Sequence, residues 1–392
     1  MVSEPELRET GRTTEAARPP RRRRRSVATM VAVLVALAAA TAYGGWYGSD
    51  QGIKVVHWGT GDTTVLAVAG DVVTLTDSPQ ARRRGTYWLE WSGAHTMLGD
   101  VVTEAPGKVE RAILGGSVPS AGTSGDLTAV PPGDPKVTFG LDFSEFTIAT
   151  ELGPAPAWYV PAKGSTWFIA VHGQNGRRKA ELKALPVVHR LGMPFMAITY
   201  RNDEGAPASP DGLIHLGDSE WRDLEAAVRA ARDRGARRVV LYGTSMGGVI
   251  AARFLDRSPL ADLVSALVMD SSESDWERVA EWNAERLHMP AVFGRLANRI
   301  SEWRTGIDVD RLNMITHPPA ARPPTLLFAA GADTQVPVQE LRDLAAAGKR
   351  LNWPIRYEEF PGADHTEPWN TDRARYESLL AAFLTPFAAP AR

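Results

Sequence analysis

The chain has 392 residues, 44 basic and 46 acidic side chains, no cysteine and 44 % apolar composition, enough to bury the core of one large or two smaller domains. The missing cysteine excludes disulfide frameworks, zinc–thiolate and iron–sulfur centres and thiol nucleophiles. The net charge of −2 averages two unlike parts: residues 1–25 carry eight Arg against four Glu, or +4, and the other 36 basic and 42 acidic side chains give −6.

Five consecutive arginines at 21–25 are followed by a stretch without charge as far as Asp50. At about 1.5 Å per residue, roughly 20 helical residues cross the hydrocarbon core of a bilayer, so residues 26–47 read as a transmembrane helix. Trp46 and Tyr47 stand where an interfacial aromatic pair belongs. Positive charge stays inside, which puts residues 1–25 in the cytoplasm and everything after about residue 48 outside. The alternative is a signal peptide cut after the small-residue pattern Ala40-Thr41-Ala42, but the uncharged stretch is longer than the 7–15 residues usual for a secretory core. Both readings export the rest of the chain. Arginines abutting an apolar span point to a membrane, and the acidic remainder offers nucleic acid nothing to bind.

Short alternating or β-branched runs at 54–56, 65–68, 72–75, 87–91 and 109–114 make residues 48–114 a small β-rich module. It is an interaction surface or a spacer. Between residues 115 and 135, 14 of 21 residues are Gly, Pro, Ser or Thr, which predicts a linker or long loop. From residue 136 apolar strand-like runs (167–171, 195–199, 238–242, 266–269, 325–329) alternate with helical periods (180–191, 219–234, 249–255). That is the pattern of a mostly parallel, doubly wound α/β sheet with helices on both faces. A helical insert at about 273–317, bearing Trp276, Trp282 and Trp303, interrupts the alternation as a cap whose tryptophans anchor a core or line an acyl pocket.

Within Gly243-Thr244-Ser245-Met246-Gly247-Gly248, a strand leads through G-x-S-x-G into a helix, the setting that projects a serine hydroxyl above a sheet. Such a hydroxyl needs a base, and the base needs a carboxylate. Of eight histidines, His365 follows the strand-like run 355–360 in a late loop. His57 and His95 fall in the β-rich module, and His189, His215, His288 and His317 lack that strand-end setting. Asp333, after another strand and a glycine turn, is the expected acid, with Asp270 as the rival at the end of 266–269. Asp364, beside the histidine, is expected to hold the loop. The tetrahedral oxyanion needs donors. The backbone amide of Met246 and that of Gln174, in His172-Gly173-Gln174-Asn175-Gly176, are the candidates, with His172 bracing that loop.

Residues from about 150 to 388 resemble the α/β-hydrolases, especially the dienelactone-hydrolase and prolyl-oligopeptidase-like branch, through His172-Gly173, the segments 243–248 and 331–337, and 362–365, in the family's order. The stretch from Tyr200 to Pro207, with Leu216-Gly217 and Glu220-Trp221, resembles exported, membrane-anchored bacterial hydrolases of that type. The resemblance implies Ser245 as nucleophile, His365 as base and Asp333 as orienting acid. Dienelactone hydrolases proper use a cysteine, and the propeller of true oligopeptidases is not recognisable here. The expected function is a serine hydrolase that cleaves small-molecule carboxylic esters, or amides or peptides, through an acyl-enzyme, with no metal or organic cofactor. Acyl transfer to a cell-envelope acceptor and a fold retired to scaffolding are the alternatives.

Overall fold

The computed structural model describes residues 21–56, 61 and 63–388; residues 1–20 of the basic tail and His57 lie outside the described residues. Helix α1 (Arg21–Ile53) runs without a break through the apolar stretch and beyond the end expected at residue 47. Its apolar side chains from Met30 to Val35 are exposed, whereas Ile53 is fully buried in the main core. The run at 54–56 is therefore the exit of a helix and not a strand; Lys54 makes one isolated bridge to Leu213.

Six strands follow: β1 (Thr63–Ala69), β2 (Val72–Thr76), β3 (Tyr87–Trp91), β4 (Ala94–Ala105), β5 (Lys108–Gly116) and β6 (Ser124–Thr128). They close into a barrel in the order β1-β2-β5-β4-β3-β6, filled by Val65, Val73, Leu75, Leu89, Leu98 and Leu127. This corrects the linker expected at 115–135. The glycine-rich stretch supplies the last residues of β5 and all of β6, which pairs with both β3 and β1 and so removes the open edges. Gly125 of β6 sits where a Cβ would lie 2.5 Å from the Glu90 carbonyl oxygen, so a composition that resembles a loop serves close strand approach.

The short helix α2 (Pro135–Phe139) is capped by the Asp134 carboxylate, which accepts from the amides of Lys136 and Val137. It leads to β7 (Ser144–Thr150), β8 (Gly153–Val160), β9 (Thr166–Val171), α3 (Leu185–Arg190), β10 (Phe195–Ile198), α4 (Trp221–Asp233), β11 (Arg238–Thr244), α5 (Met246–Arg257) and β12 (Val264–Asp270). Next come α6 (Trp276–Arg286), α7 (Val292–Thr305), β13 (Thr325–Ala330), α8 (Val338–Ala347), β14 (Ile355–Phe360), α9 (Pro368–Thr371) and α10 (Arg373–Ala388).

The sheet order is β14-β13-β12-β11-β9-β10-β8-β7, with β9 to β14 parallel and the β7–β8 hairpin antiparallel at one edge. Both faces are covered, and the two-residue period of each strand divides its apolar side chains between them. On β11, Val239 and Leu241 join the core under α4, α5 and α8, while Val240 and Tyr242 join the core under α3 and α10. Helices α6 and α7 form the insert between β12 and β13. Trp276 is buried in the first core, whereas Trp303 is exposed and meets Trp46 of α1 edge to face at 6.4 Å.

Candidate active site

Ser245 is the single residue between the end of β11 and the start of α5, with φ +49° and ψ −128°. A positive φ is strained for a non-glycine residue and holds only where the surroundings over-determine it. They do so here. A Cβ at Gly243 would collide with the backbone of Gly247 and Gly248, and one at Gly247 with the Val171 carbonyl, so the turn closes only with glycine at both places. The hydroxyl is thereby held above the carboxyl ends of the strands, where crossover loops converge.

Two of those loops meet it. The loop after β14 brings His365 Nε2 to 2.9 Å from Ser245 Oγ, and the loop after β13 brings Asp333 Oδ2 to 2.8 Å from His365 Nδ1. Burial works against the imidazolium, but the Asp333 carboxylate, together with the charges of Glu273 and Asp270, outweighs it and leaves the His365 pKa above its ordinary value. A carboxylate on Nδ1 fixes the tautomer that leaves Nε2 free to accept the serine proton. The rival Asp270 does not touch His365. Its carboxylate accepts from Tyr376 Oη at 2.9 Å and Ser271 Oγ at 3.0 Å and faces Lys183 Nζ at 3.4 Å, a buried network on the far side of β11 and β12.

A residue that the sequence did not reveal also reaches the nucleophile. Glu273, three residues past β12, is buried with Oε1 2.8 Å from Ser245 Oγ, and its Oε2 has no hydrogen-bond partner among the described residues. Burial pushes its pKa up to about 7, against the pull of His365. One hydroxyl hydrogen cannot serve two acceptors. When Ser245 donates to His365, the Glu273 carboxyl must carry a proton and donate to Oγ; when Glu273 is ionised, it competes with the base for the serine proton. The local segment Ser271-Ser272-Glu273-Ser274 reads as a polar turn, and only the sheet brings it to Ser245.

Gly173 abuts the nucleophile, since a Cβ there would lie 2.8 Å from that of Ser245. Gln174 follows it on the loop after β9, and its side-chain amide donates to the carbonyls of Gln51 and Gly52 at the end of α1. Met246 opens α5, so its amide belongs to the first turn, whose N–H groups have no acceptor within the helix. His172 is fully buried between the Gly173 carbonyl and the Asp203 carboxylate, both at 2.9 Å. Among the described residues no group of three or more His, Asp or Glu is arranged to hold a metal ion.

The barrel grips the histidine loop. Asp364 Oδ1 accepts from the amides of Thr334 and His365, both at 2.7 Å, so it ties the base's loop to that of Asp333. Arg83, between β2 and β3, donates to Asp364 and to Glu367, and Tyr87 Oη donates to Glu367 at 2.6 Å. Arg83 is itself set by Arg111, which is fully buried in the barrel and donates to the carbonyls of Ala81, Arg83, Gly85 and Gly99. Trp88 stacks on Trp369 at 5.5 Å beside them.

Residues 210–388 match the prolyl oligopeptidase family, and residues 64–128 match a domain of unknown function, DUF8805, which coincides with the barrel. The Arabidopsis thaliana alpha/beta hydrolase domain-containing protein WAV2 is 24 % identical over 257 residues, covering 60 % of this chain and 76 % of that protein. The esterase Pf2001 of Pyrococcus furiosus is similar with a TM-score of 0.52 and 20 % identity, over 66 % of this chain and 95 % of its own. A second crystal form of that esterase gives 0.52 and 20 % over 66 % and 94 %.

Proposed function

We propose, for a domain whose eight-stranded sheet has the α/β-hydrolase fold, that the protein is a membrane-anchored serine hydrolase that cleaves carboxylic esters through an acyl-enzyme. The observation that carries this reading is the hydrogen-bonded row from Asp333 through His365 to Ser245 at the strained turn. Ser245 Oγ attacks the ester carbonyl while His365 Nε2 takes its proton, and Asp333 stabilises the imidazolium that forms. The amides of Met246 and Gln174 receive the oxyanion, a contribution of roughly 3 kcal/mol per donor. His365 then protonates the departing alcohol. Water, deprotonated by the same imidazole, attacks the acyl-enzyme, and the acid leaves as Ser245 regains its proton. Glu273 in its protonated form holds Oγ toward the imidazole.

Helix α1 supplies the anchor in this reading. Within Ala28–Ile53, the most apolar window of 18 residues has a mean hydropathy of 1.7 and is only 6 % buried, which suits a lipid-facing helix better than a core one. The arginines before it put the hydrolase domain outside the cytoplasm. The match to the prolyl oligopeptidase family keeps a peptide or amide substrate as the second reading.

A fluorophosphonate probe will label the wild-type protein at Ser245, and Ser245→Ala will lose both the label and ester turnover. Turnover of p-nitrophenyl esters that persists in Ser245→Ala would sink the proposal. Comparing esters of rising chain length with aminoacyl-arylamides separates the two substrate readings.

A further inference from the structure

Helix α1 does not end at a flexible joint. Its last three turns pack in parallel along α7, with Gly44 facing Phe293, Gly48 facing Ala297 and Arg304 donating to Asp50 at 2.7 Å. The approach is close, because a Cβ at Gly45 would lie 2.6 Å from Leu296 Cγ and one at Gly48 2.8 Å from Ala297 Cβ. Trp46 adds the edge of Trp303, and the Arg304 guanidinium lies 4.4 Å from its ring centre. The cap is thus fixed to α1 in depth as well as in direction.

That register places the tip of the cap beside residues that a membrane helix must bury. The apolar segment begins at Ala28, three residues after the arginine run, and about 20 residues from there, the length that crosses roughly 30 Å of hydrocarbon, end at Tyr47. Sliding α1 outward would draw the arginines into the hydrocarbon, which costs several kcal/mol per charge. The loop between α6 and α7 lies alongside residues 40–47, where Leu287, Met289 and Phe293 face Tyr43 and Tyr47 across an open apolar groove of about 440 Å³. Leu287 is 61 % exposed and Val292 is 52 % exposed, both on that tip. No described residue covers them. The flanking Arg286 lies over the Trp282 ring at 4.9 Å, an amphipathic pair suited to headgroup level.

Resting on the reading of α1 as an anchor, we propose that the cap tip at residues 287–293 is a second membrane contact, seated in the outer leaflet of the lipid bilayer. The consequence reaches the active site. The end of α1 is held by Gln174 and by Asn175, whose side-chain oxygen accepts from the Val56 amide at 2.8 Å, and Gly173 of the same loop abuts Ser245. One loop therefore separates the nucleophile from the membrane-borne helix, and the substrate is an ester presented at the lipid surface.

Because the chain has no cysteine, single cysteines report on depth without a background. Full-length Leu34→Cys, Leu287→Cys, Val292→Cys and Val137→Cys variants are labelled with an NBD fluorophore and reconstituted in phosphatidylglycerol–phosphatidylethanolamine vesicles containing doxyl-lipid quencher. Val137 belongs to α2, whose Phe139 packs with the core on the opposite face of the sheet from the cap, and Leu34 lies mid-anchor. Quenching at 287 and 292 at least twofold above that at 137 is expected. If 34 is quenched while 287 and 292 match 137, the cap contact is overturned and the anchor stands; if 34 is not quenched, the anchor fails and the cap contact with it. Fluorophosphonate labelling of Ser245 in each variant confirms that the fold is intact and tests the hydrolase reading separately.

Discussion

Replacing Glu273 by Gln removes a titration from the centre of the site while keeping a hydrogen-bond donor for Ser245 Oγ. A carboxyl has an ordinary pKa of 4.5, and burial pushes that of Glu273 up to about 7. Below about pH 4.5 the folded and unfolded chains both hold this proton, and the group adds no pH dependence. Between about 4.5 and 7 the unfolded chain releases it and the folded chain does not, so stability falls as pH rises; above 7 the full difference is present. At about 1.4 kcal/mol per pH unit this amounts to about 3 kcal/mol. With about 2.1 cal/mol/K of unfolding entropy per residue, the shift in melting temperature is about 4 °C. Because about 0.8 kcal/mol of that difference is already present at pH 5, Glu273→Gln should gain about 3 °C on wild type between pH 5 and pH 8, read by differential scanning fluorimetry across that range. The ionised carboxylate also helps to raise the His365 pKa. The acid limb of the kcat/KM profile should accordingly move to lower pH in Glu273→Gln, with turnover at pH 8 no lower than in wild type. A melting-temperature difference that is flat from pH 5 to 8, together with an unmoved acid limb, would refute the reasoning.

Asp333→Asn should lower kcat about 10⁴-fold by allowing the wrong imidazole tautomer, whereas Asp270→Asn should stay within tenfold of wild type; initial rates on one ester decide between the two acids. Arg83→Ala releases Asp364 and Glu367 and should cost about 2 kcal/mol of stability. It should lower kcat more than it alters KM, as chemical denaturation and steady-state kinetics will show. Gly45→Leu has no room against Leu296 and should destabilise the α1–α7 contact by about 1–3 kcal/mol. Trypsin should then cut after Lys54 faster than in wild type, and an unchanged rate would argue against close packing there.

The strand–turn–helix around Ser245 was legible because each part is local: an apolar run, two glycines that the turn requires, then a helical period. His365 and Asp333 were legible for a similar reason, as each follows a strand whose end fixes where its loop points. What escaped the sequence depends on pairing. β4 is interrupted in sequence by Gly99-Asp100, and its ladder with β5 shifts register between Leu98 and Val101, so no alternation spans it. β6 has Gly125 where a side chain would strike Glu90, and its strand character exists only because β1 and β3 flank it. Glu273 is 28 residues from Ser245, and the neighbouring parallel strands bring the two together. The β-rich module, left open between a surface and a spacer, contributes Arg83 to the loop that carries His365.

The unbroken run of α1 into Ile53 has a kinetic consequence. With α1 in a bilayer and the ester at the lipid surface, as proposed above, the α1–α7 contact holds the domain against the membrane, and its search for substrate is confined to a plane. Encounter then scales with the number of ester molecules per unit of membrane area, and diluting the vesicles at constant lipid composition should leave turnover per enzyme unchanged. Rates would respond instead to surface dilution with an inert lipid, the behaviour of an enzyme whose working concentration is two-dimensional.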